Sequence, residues 1–424
     1  MTIKDYAGGN EMSFQPKVDR GFSPCPEQVV VVGGGRWARV IITELCGIVA
    51  PSVGICVCSR HNARAMSAWV QDCGIDRRVQ VSSDWPPKKL RATAAVIIAN
   101  AARDHAEVVE WAVSNVQPVL VEKPMVLSAA TAHRLASLAA ERGAKFAPAH
   151  VLLFARYLEN FGRLVATAKS IRALTISWRD PRREDRYGEE KTYDAGLPVF
   201  ADCIPHVVSI IRTLIPDSPI RCDRLDFIRG GARLKLLLKS GEVPCQVQLE
   251  RNGDRRVRFI EAFTEGGAYK LDFAVEPGMI LGPNQTTIGD PEWNAGSRPL
   301  ATLLTAFLTW AAGGAADRRL HLAVGLQSCE LIDAISTRYQ AAQASWIKNK
   351  LASADEPEDD LRYAIAEILQ IDGRVPESDI TRRIEHLRIR PDESTGRCGS
   401  TIATPRPIGS GSFDQTGTPT NGQL

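Results

Sequence analysis

Three groups of residues along this chain have the types and the spacing for hydride chemistry. Gly33-Gly34-Gly35-Arg36-Trp37-Ala38 fits the pattern G-x-G-x-x-G/A. In such a turn Gly33 permits the tight bend, Gly35 lets the backbone approach a pyrophosphate, and Ala38 allows close helix–strand packing. The phosphates then rest on the N–H groups of a helix N-terminus. Further along, Glu122-Lys123-Pro124 closes the apolar run Val116 to Val121 and so puts a lysine at a strand end. Asp202 and His206 stand four residues apart, which places both on one face of a helix. Moving a hydride to or from a substrate carbon requires a matching proton transfer at its oxygen. A histidine titrating near neutrality can supply or accept that proton, and a lysine can stabilise negative charge on the oxygen. An aspartate can orient the set or relay the proton.

The elements that must position these groups are legible as patterns. Gln28 to Val32, Val53 to Ser59, Ala94 to Ala99 and Val116 to Val121 read as buried strands. Between and after them, Trp37 to Gly47, Asn62 to Asp72, Asp104 to Ser114 and Ser128 to Arg142 read as helices. Ser128 is an N-cap and Gly143 a C-terminal stop for the last of these. Alternation of this kind predicts a doubly wound parallel sheet, an α/β fold, over residues 28–150. At the second strand end stand Ser59-Arg60-His61 with no neighbouring carboxylate. A site for NAD usually has an acid here for the ribose 2′-OH. A hydroxyl followed by a guanidinium suits a 2′-phosphate, so NADP(H) is expected over NAD(H).

Beyond residue 150 the pattern changes. Ala155 to Ala168 reads as a helix, Ile171 to Trp178 as a strand, Arg179 to Tyr193 as a charged loop and Pro205 to Ile215 as a helix. The runs 221–228, 233–239, 245–250, 257–263 and 269–273 are strand-like. Gly230-Gly231, Ser240-Gly241, Asn252-Gly253 and Gly266-Gly267 supply hairpin chemistry. An α+β domain with an open antiparallel sheet is expected over 151–345, closed by helices at 300–310 and 322–339. The arginines of the 179–193 loop either grip a phosphate or carboxylate or form a solvated mixed-charge loop. Residues 1–27 read as a disordered arm. The stretch 346–424 reads as a largely disordered tail with one short stripe, Leu361, Ile365, Ile368 and Leu369, too small to fold alone.

The bulk numbers exclude several classes. A net charge of +3 over 424 residues gives no footprint for nucleic acid or an anionic membrane. No run reaches the roughly 18 apolar residues of a membrane span, and the first 28 residues have no signal-peptide core. The ten cysteines are scattered without a C-x-x-C pair, which fits free thiols in a reducing cytoplasm and no metal site.

Taken together these residues resemble the glucose–fructose oxidoreductase / inositol dehydrogenase (Gfo/Idh/MocA) family. The resemblance rests on Gly33 to Val40, Ser59-Arg60, the turn from Asn100 to His105, Glu122-Lys123-Pro124 and Asp202-x-x-x-His206. It implies a Rossmann domain, a second domain with an open sheet, a nicotinamide cofactor in the cleft between them, and a homodimer or homotetramer. By resemblance Lys123, Asp202 and His206 are catalytic. Gly33, Gly35, Arg36, Trp37, Ala38, Ser59, Arg60, Asn100, His105, Glu122 and Lys123 bind the cofactor. The implied reaction interconverts a secondary alcohol and a ketone on a cyclic polyhydroxylated substrate: a sugar, an inositol or a nucleotide sugar. An imine reductase and a non-catalytic NADP-binding regulator are the alternatives. The chain departs from the family pattern at Leu153-Phe154, Leu197-Pro198 and Ile204.

Overall fold

The computed structural model describes residues 3–4, 11–12, 25–85, 91, 94–186, 189–191, 193–194, 196–352 and 359–368. The expectations for most of the N-terminal arm and for the chain after residue 368, Leu369 included, lie outside the described residues. Ile3–Lys4 and Glu11–Met12 pair as a short antiparallel ribbon.

The first sheet is built from β1 (Gln28–Val32), β2 (Gly54–Cys58), β3 (Val79–Ser82), β4 (Ala94–Ile98), β5 (Val119–Val121) and β6 (Phe146–Pro148). Their order is β3-β2-β1-β4-β5-β6, all parallel, which is the doubly wound Rossmann order. The helices α1 (Arg36–Ile48), α2 (Ala63–Asp72), α3 (His105–Ser114) and α4 (Ala129–Arg142) flank it. Valines and isoleucines of β1 and β4 are buried on both faces, as a central parallel strand requires. Ser128 caps α4 by accepting the Thr131 N–H, and Gly143 ends it in the left-handed conformation. Strand β5 is shorter than its apolar run. Val116 is exposed with φ +54°, so the turn takes the first residues of that run. Strands β3 and β6 were missed because four-residue and three-residue edge segments carry little periodic signal.

The second domain opens with α5 (Arg156–Thr167) and β7 (Ile171–Pro181), then α6 (Val199–Leu214). The strands β8 (Ile220–Ile228), β9 (Arg233–Ser240), β10 (Val243–Gly253), β11 (Val257–Thr264), β12 (Gly267–Asp272), β13 (Met279–Gly282) and β14 (Gln285–Ile288) follow. The order is β8-β9-β10-β7-β11-β12-β13-β14. The sheet is therefore mixed rather than wholly antiparallel: β7 lies parallel to β10 and antiparallel to β11. The reason is insertion. β7, earlier in sequence, occupies the place between β10 and β11, so Asn252-Gly253 does not close a hairpin. The charged loop also holds structure: β7 runs on to Pro181, and Asp185–Arg186 pairs with Glu189–Glu190.

One face of this sheet packs on α5, α6 and α8 (Leu322–Ala352) around Phe161, Phe200, Ile211, Leu236 and Ile260. The helix α7 (Pro299–Ala311) returns to the Rossmann domain, where Leu303 and Phe307 join the core of β1 and α1. Helix α8 does the same through Cys329, and so the two domains share packed helices. The boundary expected at residue 345/346 falls inside α8, which continues to Ala352. The last described element, α9 (Asp359–Ile368), docks Leu361 and Ile365 onto Trp346, Ile347 and Leu351 of α8. Leu361 and Ile365 of the tail's apolar stripe thus form a packed face, while Ile368 is exposed.

Candidate active site

The glycine-rich turn lies between β1 and α1, at the switch point where the strand order reverses. Gly33 has φ +145°, and a Cβ there would strike the Ala99 carbonyl after β4. Gly34 leaves no room for a Cβ against the Ser59 side chain, whereas Gly35 faces open space. Gly35 is the N-cap of α1, which has no side-chain cap and no acid in its first turn. Those free N–H groups and the open Gly35 fit a pyrophosphate. Ala38 is fully buried, as close helix–strand packing requires. Trp37 lies beside Glu122, next to the lysine strand. Burial pushes the Glu122 carboxyl up while Trp37 and Lys123 pull it down.

Ser59 is buried and its Oγ accepts the Asn62 N–H at 3.1 Å. Arg60 is half exposed and pairs with Glu107 at 3.0 Å. His105 is buried, with Nδ1 at 2.9 Å from the Pro124 carbonyl and Nε2 at 3.2 Å from the Asn100 carbonyl. Both ring nitrogens face carbonyl oxygens, and burial holds the ring below its ordinary pKa, so the neutral ring donates to one of the two. The ring buttresses the Asn100 turn and the lysine motif from inside.

Lys123 follows β5 and reaches across to α6. Its Nζ forms an ion pair with Asp202 Oδ1 and donates to the Asp202 carbonyl at 3.3 Å. About a quarter of each side chain is exposed, so the pair opens to a cleft. Burial pulls the ammonium down, but the Asp202 carboxylate outweighs it and Lys123 sits above its ordinary value. Burial likewise opposes ionisation of Asp202. Lys123 and Arg251 overcome that opposition and hold the carboxyl well below the usual range.

Arg251, at the end of β10, was not singled out in the sequence. Its side chain is 4% exposed; Nη2 lies 3.0 Å from Asp202 Oδ2 and Nη1 2.6 Å from the Leu197 carbonyl. His206, one turn after Asp202, stacks on Trp178 at 4.5 Å between centroids with planes 12° apart. On Trp178 in turn lies the Arg258 guanidinium, 3.9 Å from the ring centre and paired with Asp180. Burial and the Lys123 charge push His206 well below its ordinary pKa, against the pull of Asp202. His150, also unforeseen, is buried with Nδ1 2.8 Å from Ser209 Oγ. Burial lowers it to about 4. None of these partners has a local sequence signature, because each comes from a different strand or helix.

Two arginines of the 179–193 loop are committed elsewhere. Arg179 donates to Gln248 at 2.6 Å and lies near Glu250, and Arg182 pairs with Asp359 at 3.2 Å. The solvated mixed-charge alternative holds for these two. Ile204 is fully buried in the second core and Phe154 is buried beneath Arg319, so the departures there are packing changes.

Residues 28–150 match the family model described as oxidoreductase family, NAD-binding Rossmann fold (Gfo/Idh/MocA). That match spans the first domain and stops before the second sheet. No curated protein matches the chain. Many solved structures share this fold. The 3-ketoreductase KijD10 from Actinomadura kijaniata, solved with NADP and TDP-benzene, is 17% identical with a TM-score of 0.58. The match covers 74% of this chain and 97% of that one. The UDP-N-acetylglucosamine 3-dehydrogenase GnnA from Acidithiobacillus ferrooxidans is 18% identical with a TM-score of 0.57, covering 74% and 98%. An oxidoreductase from Pseudomonas syringae is 13% identical with a TM-score of 0.57, covering 75% and 98%.

Proposed function

We propose that this protein is an NADP(H)-preferring oxidoreductase that interconverts a secondary alcohol and a ketone on a nucleotide sugar or related cyclic polyhydroxylated substrate. The observation that carries the reading is the Lys123–Asp202 ion pair, which sets a strand-end lysine of the Rossmann domain against the Asp202/His206 face of α6. The nucleotide-sugar class is supported by two fold relatives: GnnA is a UDP-N-acetylglucosamine 3-dehydrogenase, and KijD10 is a 3-ketoreductase solved with TDP-benzene.

When bound, the nicotinamide cofactor supplies or accepts the hydride. Gly33 to Ala38 and the N-terminus of α1 would hold its pyrophosphate, and Ser59 and Arg60 would take its ribose phosphate. Lys123, kept cationic by Asp202, donates a hydrogen bond to the reacting oxygen and stabilises the charge that develops there. His206, neutral at pH 7, accepts the hydroxyl proton in oxidation and returns it in reduction. Asp202 orients Lys123, and Arg251 orients Asp202. Stacking on Trp178 fixes the plane of the imidazole.

A second copy of the chain is proposed to cover the open face of the second sheet, where Phe263, Met279, Leu281 and Ile288 are exposed. The nine described cysteines are unpaired, which supports a reducing, cytoplasmic setting. No helix among the described residues is long and apolar enough to cross a membrane. The reading is tested by screening nucleotide sugars and free sugars with NADP and NADPH, following the nicotinamide absorbance. Turnover of imines only, or of nothing with the cofactor bound, would overturn it.

A further inference from the structure

His150 stands beside the candidate groups but takes no part in the proton and hydride steps. Strand β5 pairs with β6 at Val121 and Pro148, so Lys123 and His150 occupy matching places just past the C-terminal ends of neighbouring parallel strands. That is where a doubly wound sheet binds its ligands. Both residues reach the same helix. Lys123 meets Asp202, and His150 meets Pro205 and Ser209 of α6. Asp202, His206 and Ser209 recur at the spacing of one helical face.

Hydrogen-bond geometry fixes which nitrogen of His150 carries the proton. Nδ1 lies 3.2 Å from the Pro205 carbonyl and 2.8 Å from Ser209 Oγ. The carbonyl can only accept. Ser209 Oγ donates its one proton to that same carbonyl at 2.8 Å, so toward the ring it can only accept as well. Nδ1 is therefore protonated. Burial lowers the pKa to about 4, so the ring is neutral at pH 7 and its Nε2 is a bare acceptor. Nε2 has no hydrogen-bond partner among the described residues and is not sealed inside the core, although the residue as a whole is only 4% exposed. An unpaired acceptor in so buried a ring is costly, and a ligand that donates to it relieves the cost.

We infer that His150 is a further substrate-binding residue, whose Nε2 accepts a hydrogen bond from a substrate hydroxyl other than the reacting one. The cleft then offers a donor, Lys123, to the reacting oxygen and an acceptor, His150, to a second hydroxyl. Substrates that carry that hydroxyl are favoured over those that lack it. This rests on the function proposed above, but the state of the imidazole can be read without any substrate.

The test compares the full parent chain with His150→Asn and His150→Gln. Asparagine keeps a donor near the Nδ1 position and leaves no acceptor at the Nε2 position, which the glutamine carbonyl reaches. On the sugar or nucleotide sugar that the parent turns over, kcat/KM is expected to fall about tenfold in His150→Asn, a factor that loss of one hydrogen bond carries. It should recover in His150→Gln, with NADPH affinity at the parent value in both. Monodeoxy forms of the same sugar supply a readout that altered packing would not move: one of them should be used equally well by the parent and by His150→Asn. A parental kcat/KM in His150→Asn overturns the proposal, as does an equal loss on every deoxy sugar. If the variants do not fold, ¹⁵N NMR of the histidine-labelled parent decides. A protonated Nδ1 with an Nε2 signal that moves when the sugar is added supports the proposal, and a protonated Nε2 or an unmoved signal overturns it. Should the parent use no sugar at all, the proposed function falls, and the tautomer alone decides the acceptor: protonated Nδ1 keeps it and protonated Nε2 removes it.

Discussion

Lys123 and Asp202 form an ion pair across the boundary between the two sheets, the lysine from the end of β5 and the aspartate from the first turn of α6. The pair links the first domain to the face of α6 that carries His206. Its removal should therefore affect chemistry more than assembly. Lys123→Ala is expected to lower turnover by about 10²–10³-fold and His206→Ala by about 10²–10⁴-fold. Steady-state kinetics and NADPH titration of each variant check this. Near-parental turnover would remove that residue from the mechanism.

Arg60 is half exposed and held only by an exposed partner, Glu107, so it is free to turn toward a 2′-phosphate. Arg60→Ala is expected to weaken NADP(H) binding by roughly 10- to 100-fold, the worth of hydrogen bonds to a charged group. NAD(H) binding should change little. Titration with all four nucleotides is the measurement, and an equal loss for both pairs would refute the assignment.

Trp178 keeps one face of His206 dry and carries Arg258 on its ring. Trp178→Leu admits water to the imidazole, so the depressed pKa should rise toward 6.5. The acid limb of the kcat/KM profile is expected to move to higher pH, with kcat reduced at neutral pH. An unshifted limb with normal kcat would show that the stack has no part in proton transfer.

His150 is buried and neutral in the folded protein, with its pKa lowered from 6.5 to about 4. The unfolded chain binds the extra proton between those values, so stability falls as pH drops from 6.5 to about 4 and levels off below. The contribution is roughly 3 kcal/mol at 1.36 kcal/mol per pKa unit. Denaturant melts of the parent and of His150→Leu across that range should show a shallower acid limb in the variant. Parallel curves would place the acid sensitivity elsewhere.

Leu361 is 1% exposed on the docked face of α9. Leu361→Ala is expected to weaken that docking by about 2–4 kcal/mol, in line with other buried leucine truncations. Hydrogen exchange over 359–368 reports it directly. Protection equal to that of the parent would mean the helix is held by its polar contacts alone.

Much of the first domain was legible before any coordinates. Glycines with a required backbone conformation, valine-rich strands and the Ser128 and Gly143 caps are local signals, because each element's own residues state its ends. The candidate residues Lys123, Asp202 and His206 were legible for the same reason: strand-end position and helical spacing are properties of a few consecutive residues. Six of the eight strands of the second sheet were legible, but β13, β14 and the strand order were not. Turn chemistry at Asn252-Gly253 predicts a hairpin, and nothing local reveals that β7 will lie between β10 and β11. That insertion brings Trp178 and Arg258 together behind His206, while β10 carries Arg251 to Asp202. The apolar stripe of α9 was visible, but its docking was not, since an isolated ten-residue helix is marginal and only the waiting surface of α8 makes it stable. Sequence alone determined most of the elements and the candidate groups Lys123, Asp202 and His206. Tertiary structure decided which buried partners hold those groups, because pairing between distant segments depends on burial and fit that no short stretch of chain encodes.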